Sequence, residues 1–238
     1  MSQPKISRIE NGKSVPTLAD IEAWVKATNA KDEEVTELAA LLDQIATEAR
    51  SWRLVNRLGL APRQQEIAEL EQSAHTIRVF QPVMVPGLLQ IADYARRVME
   101  MSYTAGPDIA RAVAVRMERQ TILYDQAKQF EFVITEGALR WRPGPPDMMR
   151  AQLDRLVSIA SLPNVTLSLV PLGETPIPLL HPFVIFEMEG ESLVTAETYS
   201  TELQLHDAED IARYHQVLDQ LRAAAAPDAA ALISVIVG

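Results

Sequence analysis

The sequence predicts an α+β or α/β protein, in which an N-terminal helical segment precedes an α/β domain built on a mixed sheet. Two patterns along the 238 residues support this fold class. Apolar side chains recur at helical spacing in the first quarter of the chain, whereas from Phe130 onward short segments alternate apolar and polar residues with the period of a strand. Gly59 and Pro62 mark a boundary, so we expect two parts, residues 1–58 and residues 59–238.

Three helices are predicted in the N-terminal segment. Ser2 is a suitable N-cap, Pro4 favours the first turn, and Gly12 ends this helix. Thr17 caps a second helix that turns one apolar side inward. Asp32 caps a third helix, and its apolar stripe continues to the predicted boundary.

The second part of the chain mixes helices and strands. Helices are predicted over residues 64–74, 108–123, 147–161 and 207–226, and a turn becomes a helix over residues 85–98. Strands are predicted over residues 76–82, 130–136, 165–170, 183–186 and 193–198, with a hairpin turn at residues 187–192. In the helix over residues 147–161 the side chains expected to face the core are Leu153, Leu156, Val157 and Ala160. The apolar tail, residues 229–237, is expected to pack on the domain.

Composition limits the classes of protein and of site. Hydrophobic residues make up 47% and charged residues 23% of the chain, which is typical of a globular protein. The absence of cysteine excludes disulfides and thiolate chemistry. No apolar run reaches the roughly 18 residues that a membrane span needs, so we expect no membrane association and a cytoplasmic protein. The net charge of −10 predicts weak attraction to nucleic acid.

The first sixteen residues, MSQPKISRIENGKSVP, resemble the recognition helix of the lambda-repressor-like (Cro/CI, xenobiotic-response-element or XRE) helix-turn-helix family. The resemblance implies DNA contacts by Gln3, Lys5, Ser7, Arg8, Asn11 and Lys13, with Gln3 and Arg8 on base edges. That family places two helices before this one, so this chain carries a partial helix-turn-helix, either as a relic or as a truncated version of a longer protein. DNA is therefore a weak or absent partner of this chain. The resemblance also implies a homodimer, with residues 17–58 as the leading interface.

Several blocks of the second part resemble the uncharacterised effector domain that follows such heads in actinobacteria, Streptomyces especially. They include HTIRVFQPVMVPGLLQ at residues 75–90, VRMERQTIL at residues 115–123 and VITEGALR at residues 133–140. The chain departs from that family at Ile91, where Thr is common. The resemblance implies a transcriptional regulator whose second part senses a small-molecule ligand or a small acidic partner protein.

A ligand pocket is predicted between three segments. They are the turn at residues 85–90, the helical face at residues 116–120 and the segment from Glu136 to Trp141. Its apolar walls are expected from Leu88, Leu89 and Trp141, and its polar groups from Arg116, Arg119, Gln120 and Glu136. Arg116, Arg119 and Gln120 share one helical face because they are three and four residues apart. A salt-bridged surface is the alternative interpretation of the same face.

Neither a metal site nor a cofactor is expected, and no catalytic residue is identified. The histidines are scattered and lack the spacing of a metal site, and no glycine-rich phosphate loop or serine nucleophile elbow occurs. Several glutamates surround the predicted sheet, but no fixed spacing among them requires acid–base catalysis. An enzyme recruited from a regulator and a protein–protein binding module remain the alternative functions.

Overall fold

The computed structural model of the protein describes residues 2–11, 16–28, 38, 47–51, 60–102, 108–198 and 201–237. The N-terminal segment contains the helices α1 (Gln3–Glu10) and α2 (Leu18–Thr28). Asp32, the predicted cap of the third helix, lies outside the described residues. The hydroxyl of Thr17 accepts a hydrogen bond from the Asp20 amide at 3.2 Å, which confirms Thr17 as the cap of α2. Gly12, the predicted stop of α1, lies outside the described residues.

In the described residues, seven strands form one sheet, which is mixed, as predicted. They are β1 (Thr47–Ser51), β2 (Thr76–Gln81), β3 (Gln129–Thr135), β4 (Val165–Val170), β5 (Phe183–Met188), β6 (Glu191–Glu197) and β7 (Thr201–Leu205). Their spatial order is β1-β7-β6-β5-β2-β3-β4. β3 pairs parallel with both β2 and β4. The pairs β2–β5, β5–β6, β6–β7 and β7–β1 are antiparallel. The direction of pairing therefore changes at β2.

The remaining helices cover both faces of the sheet. They are α3 (Leu60–Ser73), α4 (Ala92–Ser102), α5 (Ile109–Arg119), α6 (Glu136–Arg140), α7 (Pro146–Ala160), α8 (Ala208–Ala223) and α9 (Ala229–Val237). Short 3₁₀ helices span Gly87–Leu89 and Gln120–Tyr124. None of the helices in the described part of the chain combines the length and apolarity that crossing a membrane requires.

Alternation along the strands divides the core into two clusters. Phe132 of β3 packs with residues of α4, α7 and α9 on one face of the sheet. The next residue, Val133, packs on the opposite face with Leu218 and Leu221 of α8. The tail helix α9 buries Ile233 in the first cluster, which confirms that the tail packs on the domain.

Three features differ from the sequence prediction. Residues 47–51 form β1 rather than part of a long helix, because they pair antiparallel with β7. β7 itself was not predicted. Val157 is 40% exposed rather than inward, and Ile159 is buried instead. The predicted boundary after residue 58 stays a prediction. β1 belongs to the first predicted part, residues 1–58, but it pairs with β7 in the second part.

Candidate ligand-binding cavity

A cavity of about 210 Å³ lies between the sheet and the helices α3 and α5. It extends along β2 and past the end of that strand to the turn formed by residues 84–88. β2 is the strand at which the sheet changes from parallel to antiparallel pairing. The cavity therefore lies beside the junction between the parallel and the antiparallel parts of the sheet.

The floor of the cavity is apolar and comes from three neighbouring strands. Val79 of β2 pairs with Phe132 of β3 on one side and with Val184 of β5 on the other. Ile77 and Phe186, paired in the next row, complete this surface. The register of the strands therefore places five apolar side chains on one face, a surface of the kind that lines ligand pockets.

The roof of the cavity is polar and has an ordered network of buried groups. Arg119 on α5 makes two hydrogen bonds to the Glu71 carboxylate on α3, at 2.5 and 2.9 Å. Their side chains are 6% and 5% exposed, so the charges are almost entirely removed from water. Gln64 accepts hydrogen bonds from both Arg119, at 2.6 Å, and Arg116, at 3.0 Å. The two helices are thus joined across the cavity by charge-assisted hydrogen bonds.

A second buried ion pair connects the roof to the sheet. Arg63 on α3 pairs with Glu202 on β7, and these side chains are 7% and 3% exposed. Arg63 also donates a hydrogen bond to Glu66 at 3.0 Å. The Nε atom of Arg63 is buried and has no hydrogen-bond partner among the described residues. A ligand with a hydrogen-bond acceptor would satisfy this donor, because buried polar groups are stable only when they are paired.

Three of the predicted ligand-binding residues line this cavity: Leu88, Arg116 and Arg119. Gln120 lies behind it and supports the turn, since its side-chain amide donates to the backbone oxygens of Gln90, at 2.6 Å, and Gly87, at 3.2 Å. Leu89 is buried in the core. The ligand-binding role of this set stays a prediction, but the structure does not bring all of its members to one cavity.

Glu136 and Trp141 lie away from the cavity. Glu136 begins α6, accepts a hydrogen bond from the Leu172 amide at 2.9 Å and pairs with Arg140 at 2.6 Å. The Leu172 amide and Arg140 together outweigh burial and hold the pKa of Glu136 below its usual 4.5. Trp141 packs edge-on against Tyr94, with 6.3 Å between ring centroids. Both residues therefore have structural contacts that account for their positions.

The buried polar residues of α3 and β7 were not predicted from the sequence. On α3, Glu71 lies two turns after Gln64 and therefore on the same side of the helix, and Arg63 flanks them. This spacing is visible in the sequence as polar residues that recur on one side of the helix. Glu202 had no comparable signal, since β7 was not predicted.

Two of the α1 residues that the resemblance assigns to DNA, Lys5 and Arg8, instead contact α2 and the turn between β5 and β6. Lys5 is buried, pairs with Asp20 at 2.8 Å and donates to the backbone oxygen of Gly190 at 3.0 Å. Arg8 pairs with Glu191 at 3.2 Å and donates to the backbone oxygen of Glu189 at 3.3 Å. α1 thus rests on the turn between β5 and β6.

The other residues of this predicted set are more accessible where the structure describes them. Gln3 and Ser7 are exposed, and the exposed Asn11 donates to the Ser7 backbone oxygen at 2.6 Å. Lys13 lies outside the described residues. Contact of these residues with DNA stays a prediction.

Across the described part of the chain, no three His, Asp or Glu side chains are grouped to hold a metal ion. A family model described as "Domain of unknown function (DUF5753)" matches residues 64–234. No curated protein matches the chain. A solved structure of TrmBL2, described as "an archaeal chromatin protein" that "shows a novel mode of DNA binding", aligns with 95% of this chain and 67% of its own, at 14% identity and a TM-score of 0.41.

Proposed function

The chain belongs to the family of the domain of unknown function DUF5753, and we propose that its C-terminal domain is a ligand-responsive regulatory domain that controls helix α1. One observation carries this proposal. The hairpin of β5 and β6 forms part of the cavity wall and, at its turn, holds α1. A ligand in the cavity and the N-terminal helix therefore contact the same structural unit.

The two ends of this hairpin have different partners. Val184 and Phe186 of β5 and Thr195 of β6 line the cavity. At the other end, the turn at Glu189 and Gly190 accepts hydrogen bonds from α1. Gly190 adopts a φ of +76°, a conformation that glycine allows and that brings its backbone oxygen to Lys5.

Coupling requires that the ligand bind one arrangement of the hairpin more tightly than another. A ligand that rests on Phe186 and Thr195 selects a position for both strands, and the antiparallel hydrogen bonds between them transmit that position to the turn. By linkage, any change in the affinity of the turn for α1 is matched by an equal change in ligand affinity.

The cavity favours a small ligand that has both an apolar ring and a polar end. The ring would lie on the floor formed by β2, β3 and β5. The polar end would face Arg63, whose Nε atom is without an acceptor, and the neighbouring carboxylates of Glu71 and Glu202. An amide meets these requirements, since it both accepts and donates hydrogen bonds.

The regulated output that we propose is DNA binding by a protein of the XRE type. The support is the resemblance of α1 to a recognition helix and the exposure of Gln3 and Ser7. The net charge of −10 predicts that this chain alone binds DNA weakly. We also propose a homodimer and a small acidic partner protein, both of which rest on the resemblance to the XRE family.

Benzamide is a suitable probe for the proposal. Two-dimensional NMR of the whole chain should show shifts of the Phe186 and Thr195 amides on titration, together with shifts at Gly190 and Lys5. Ile67→Trp, which adds bulk to a residue that lines the cavity, should abolish all four shifts. Gln65→Trp adds the same bulk at an exposed position of α3 and should preserve them.

Two results would contradict the proposal. Shifts confined to the cavity residues, with Gly190 and Lys5 unaffected, would show that the hairpin does not couple cavity and helix. Binding that persists in Ile67→Trp would place the probe elsewhere.

A further inference from the structure

A second cavity, of about 350 Å³, lies on the opposite face of the sheet. One wall is the proline-rich loop at residues 177–182, and the other is the α8 segment around Tyr214 and Val217. Phe80 and Phe183, at the ends of β2 and β5, close its base.

Aromatic rings form a continuous wall along this cavity. Phe80 and Phe183 have ring centroids 5.3 Å apart, and Phe183 and Tyr214 meet edge to face at 4.8 Å. His181 extends the series, with its ring 5.8 Å from that of Tyr214. Rings held at these distances offer both faces and edges to a further aromatic ring, which is the geometry that aromatic pairs favour.

The polar groups inside the wall are already paired with each other. His181 Nε2 lies 2.8 Å from the Tyr214 hydroxyl oxygen. Burial lowers the pKa of His181, so the imidazole is neutral at neutral pH. Burial, together with the nearby Asp210, raises the pKa of Tyr214, so the phenol is neutral as well. This pair therefore brings no charge into the cavity.

The cation at the rim is Arg213. It is exposed, and it makes no ion pair or hydrogen bond with any residue that the structure describes. Among the described residues that line the cavity, none is acidic, and the nearby Asp210, one turn earlier on α8, makes no ion pair with this guanidinium. Planar guanidinium groups bind carboxylates through two parallel hydrogen bonds.

The mouth of the cavity leaves apolar surface in water. The Leu180 side chain is 85% exposed although it belongs to the lining. An aromatic ligand would cover part of this surface and gain the corresponding hydrophobic contribution. The side chain of Val217, on the facing helix, is half-buried at the same opening.

We propose that this second cavity binds a flat aromatic molecule that carries one carboxylate. The ring lies against Phe183 and Tyr214, and the carboxylate accepts hydrogen bonds from Arg213. This site is separate from the cavity under α3 and α5, and the inference does not depend on the function proposed for that cavity.

Calorimetric titration of the whole chain with cinnamate tests the inference, with cinnamamide as the neutral analogue of the same shape. We expect Arg213→Gln to weaken cinnamate binding about tenfold, the contribution of one charge-assisted hydrogen bond at an exposed site. The same variant should leave cinnamamide binding unchanged. Arg150→Gln, which removes an exposed arginine on α7, should change neither affinity.

Val217→Trp should block both probes by filling the cavity, while Ile67→Trp should leave both unaffected because it fills the other cavity. In case Val217→Trp fails to fold, nuclear Overhauser contacts between cinnamate and the Leu180 methyl groups of the unaltered chain locate the probe independently. The inference is overturned if cinnamate does not bind at millimolar concentration, if Arg213→Gln binds it as tightly as the unaltered chain, or if those contacts are missing.

Discussion

Phe80 and Phe183 are paired across β2 and β5 and line both cavities, so their two rings form a shared wall. The centroids lie 5.3 Å apart with the ring planes inclined by 46°. Both side chains are almost fully buried, at 2% and 3% exposed. The two candidate sites are therefore separated by a single aromatic layer.

Shortening one of these rings should remove that layer. We expect Phe183→Ala to lower the free energy of unfolding by about 3 to 5 kcal/mol, through lost burial and an enlarged cavity. Phe183→Leu keeps most of the apolar volume and should cost less. Urea denaturation followed by circular dichroism measures both. Equal losses in the two variants would mean that the ring does not fill the space between the cavities.

Arg119 should be required for stability because its removal leaves Glu71 buried without its counter-ion. We expect Arg119→Ala to lower the free energy of unfolding by about 3 to 5 kcal/mol. Arg111→Ala, at an exposed position of the same helix, is the control and should change it by less than about 0.5 kcal/mol. Replacing Arg119 and Glu71 together by Met should restore most of the loss, since both charges are then removed. A small effect of Arg119→Ala in urea denaturation would refute the importance of the pair.

The contact between α1 and α2 should be sensitive to acid. Burial raises the pKa of Asp20, but hydrogen bonds from Lys5 and Thr17 outweigh it and hold the pKa below 3.8. Since the folded-state pKa is lower than the unfolded value, the ion pair stabilises above about pH 4 and the stabilisation is lost as the pH falls through the folded-state pKa.

Lys5→Met should therefore raise the pKa of Asp20, because burial remains while the main cationic partner is lost. NMR titration of the Asp20 side-chain carboxyl carbon measures the change. Lys26→Met, at an exposed position of α2, should leave the titration as it is in the unaltered chain. If Lys5→Met also leaves the titration of Asp20 unchanged, then Lys5 does not stabilise the charged form of Asp20 in solution.

Tyr94 should make the protein sensitive to alkali. Burial raises the pKa of Tyr94 from 10.0 to about 12, even though the Val85 amide donates a hydrogen bond to its hydroxyl oxygen at 3.2 Å. The unfolded chain ionises first, so the stabilisation is present below pH 10 and is lost as the pH rises through about 12.

Tyr94→Phe should lower the free energy of unfolding at neutral pH by about 1 to 3 kcal/mol, because the buried Val85 amide loses its acceptor. It should also reduce the fall in stability between pH 10 and 12. Tyr124→Phe, at a side chain that is 54% exposed, is the control. Urea denaturation at several pH values compares the three proteins. An unchanged alkaline fall in Tyr94→Phe would contradict the assignment.

The central strands could be predicted from sequence because alternation and β-branched residues mark them. Residues 165–170 alternate clearly and form β4. β1 escaped prediction because it has only five residues and pairs with β7, which is distant in sequence. β7 is equally short, although it also pairs with β6, its neighbour along the chain. Residues 47–51 also continued an apolar helical pattern, and that local preference is overridden by tertiary pairing.

The residues that line the cavity under α3 and α5 could be predicted only in part, because their grouping depends on strand order. The spacing of Arg116 and Arg119 predicted that they share a helical face, and both residues line the cavity, whereas their ligand-binding role stays a prediction. Glu136 and Trp141 follow β3, which lies between β2 and β4, whereas the cavity opens over β2 and β5. Strand order is a long-range property, so the sequence pattern could not show on which side of β2 the cavity forms.

The change of pairing direction at β2 also has a consequence for the order of assembly. β2 and β5 are separated by about a hundred residues, and between them lie the parallel strands β3 and β4 and the helices α4 to α7. During synthesis, β2, β3 and β4 can associate while β5 has not yet been made. Contacts between such distant segments form slowly because the intervening chain must be closed into a loop. The cavities therefore close only when nearly the whole domain has left the ribosome, and until then the edge of β2 that will pair with β5 presents unpaired backbone N–H and C=O groups.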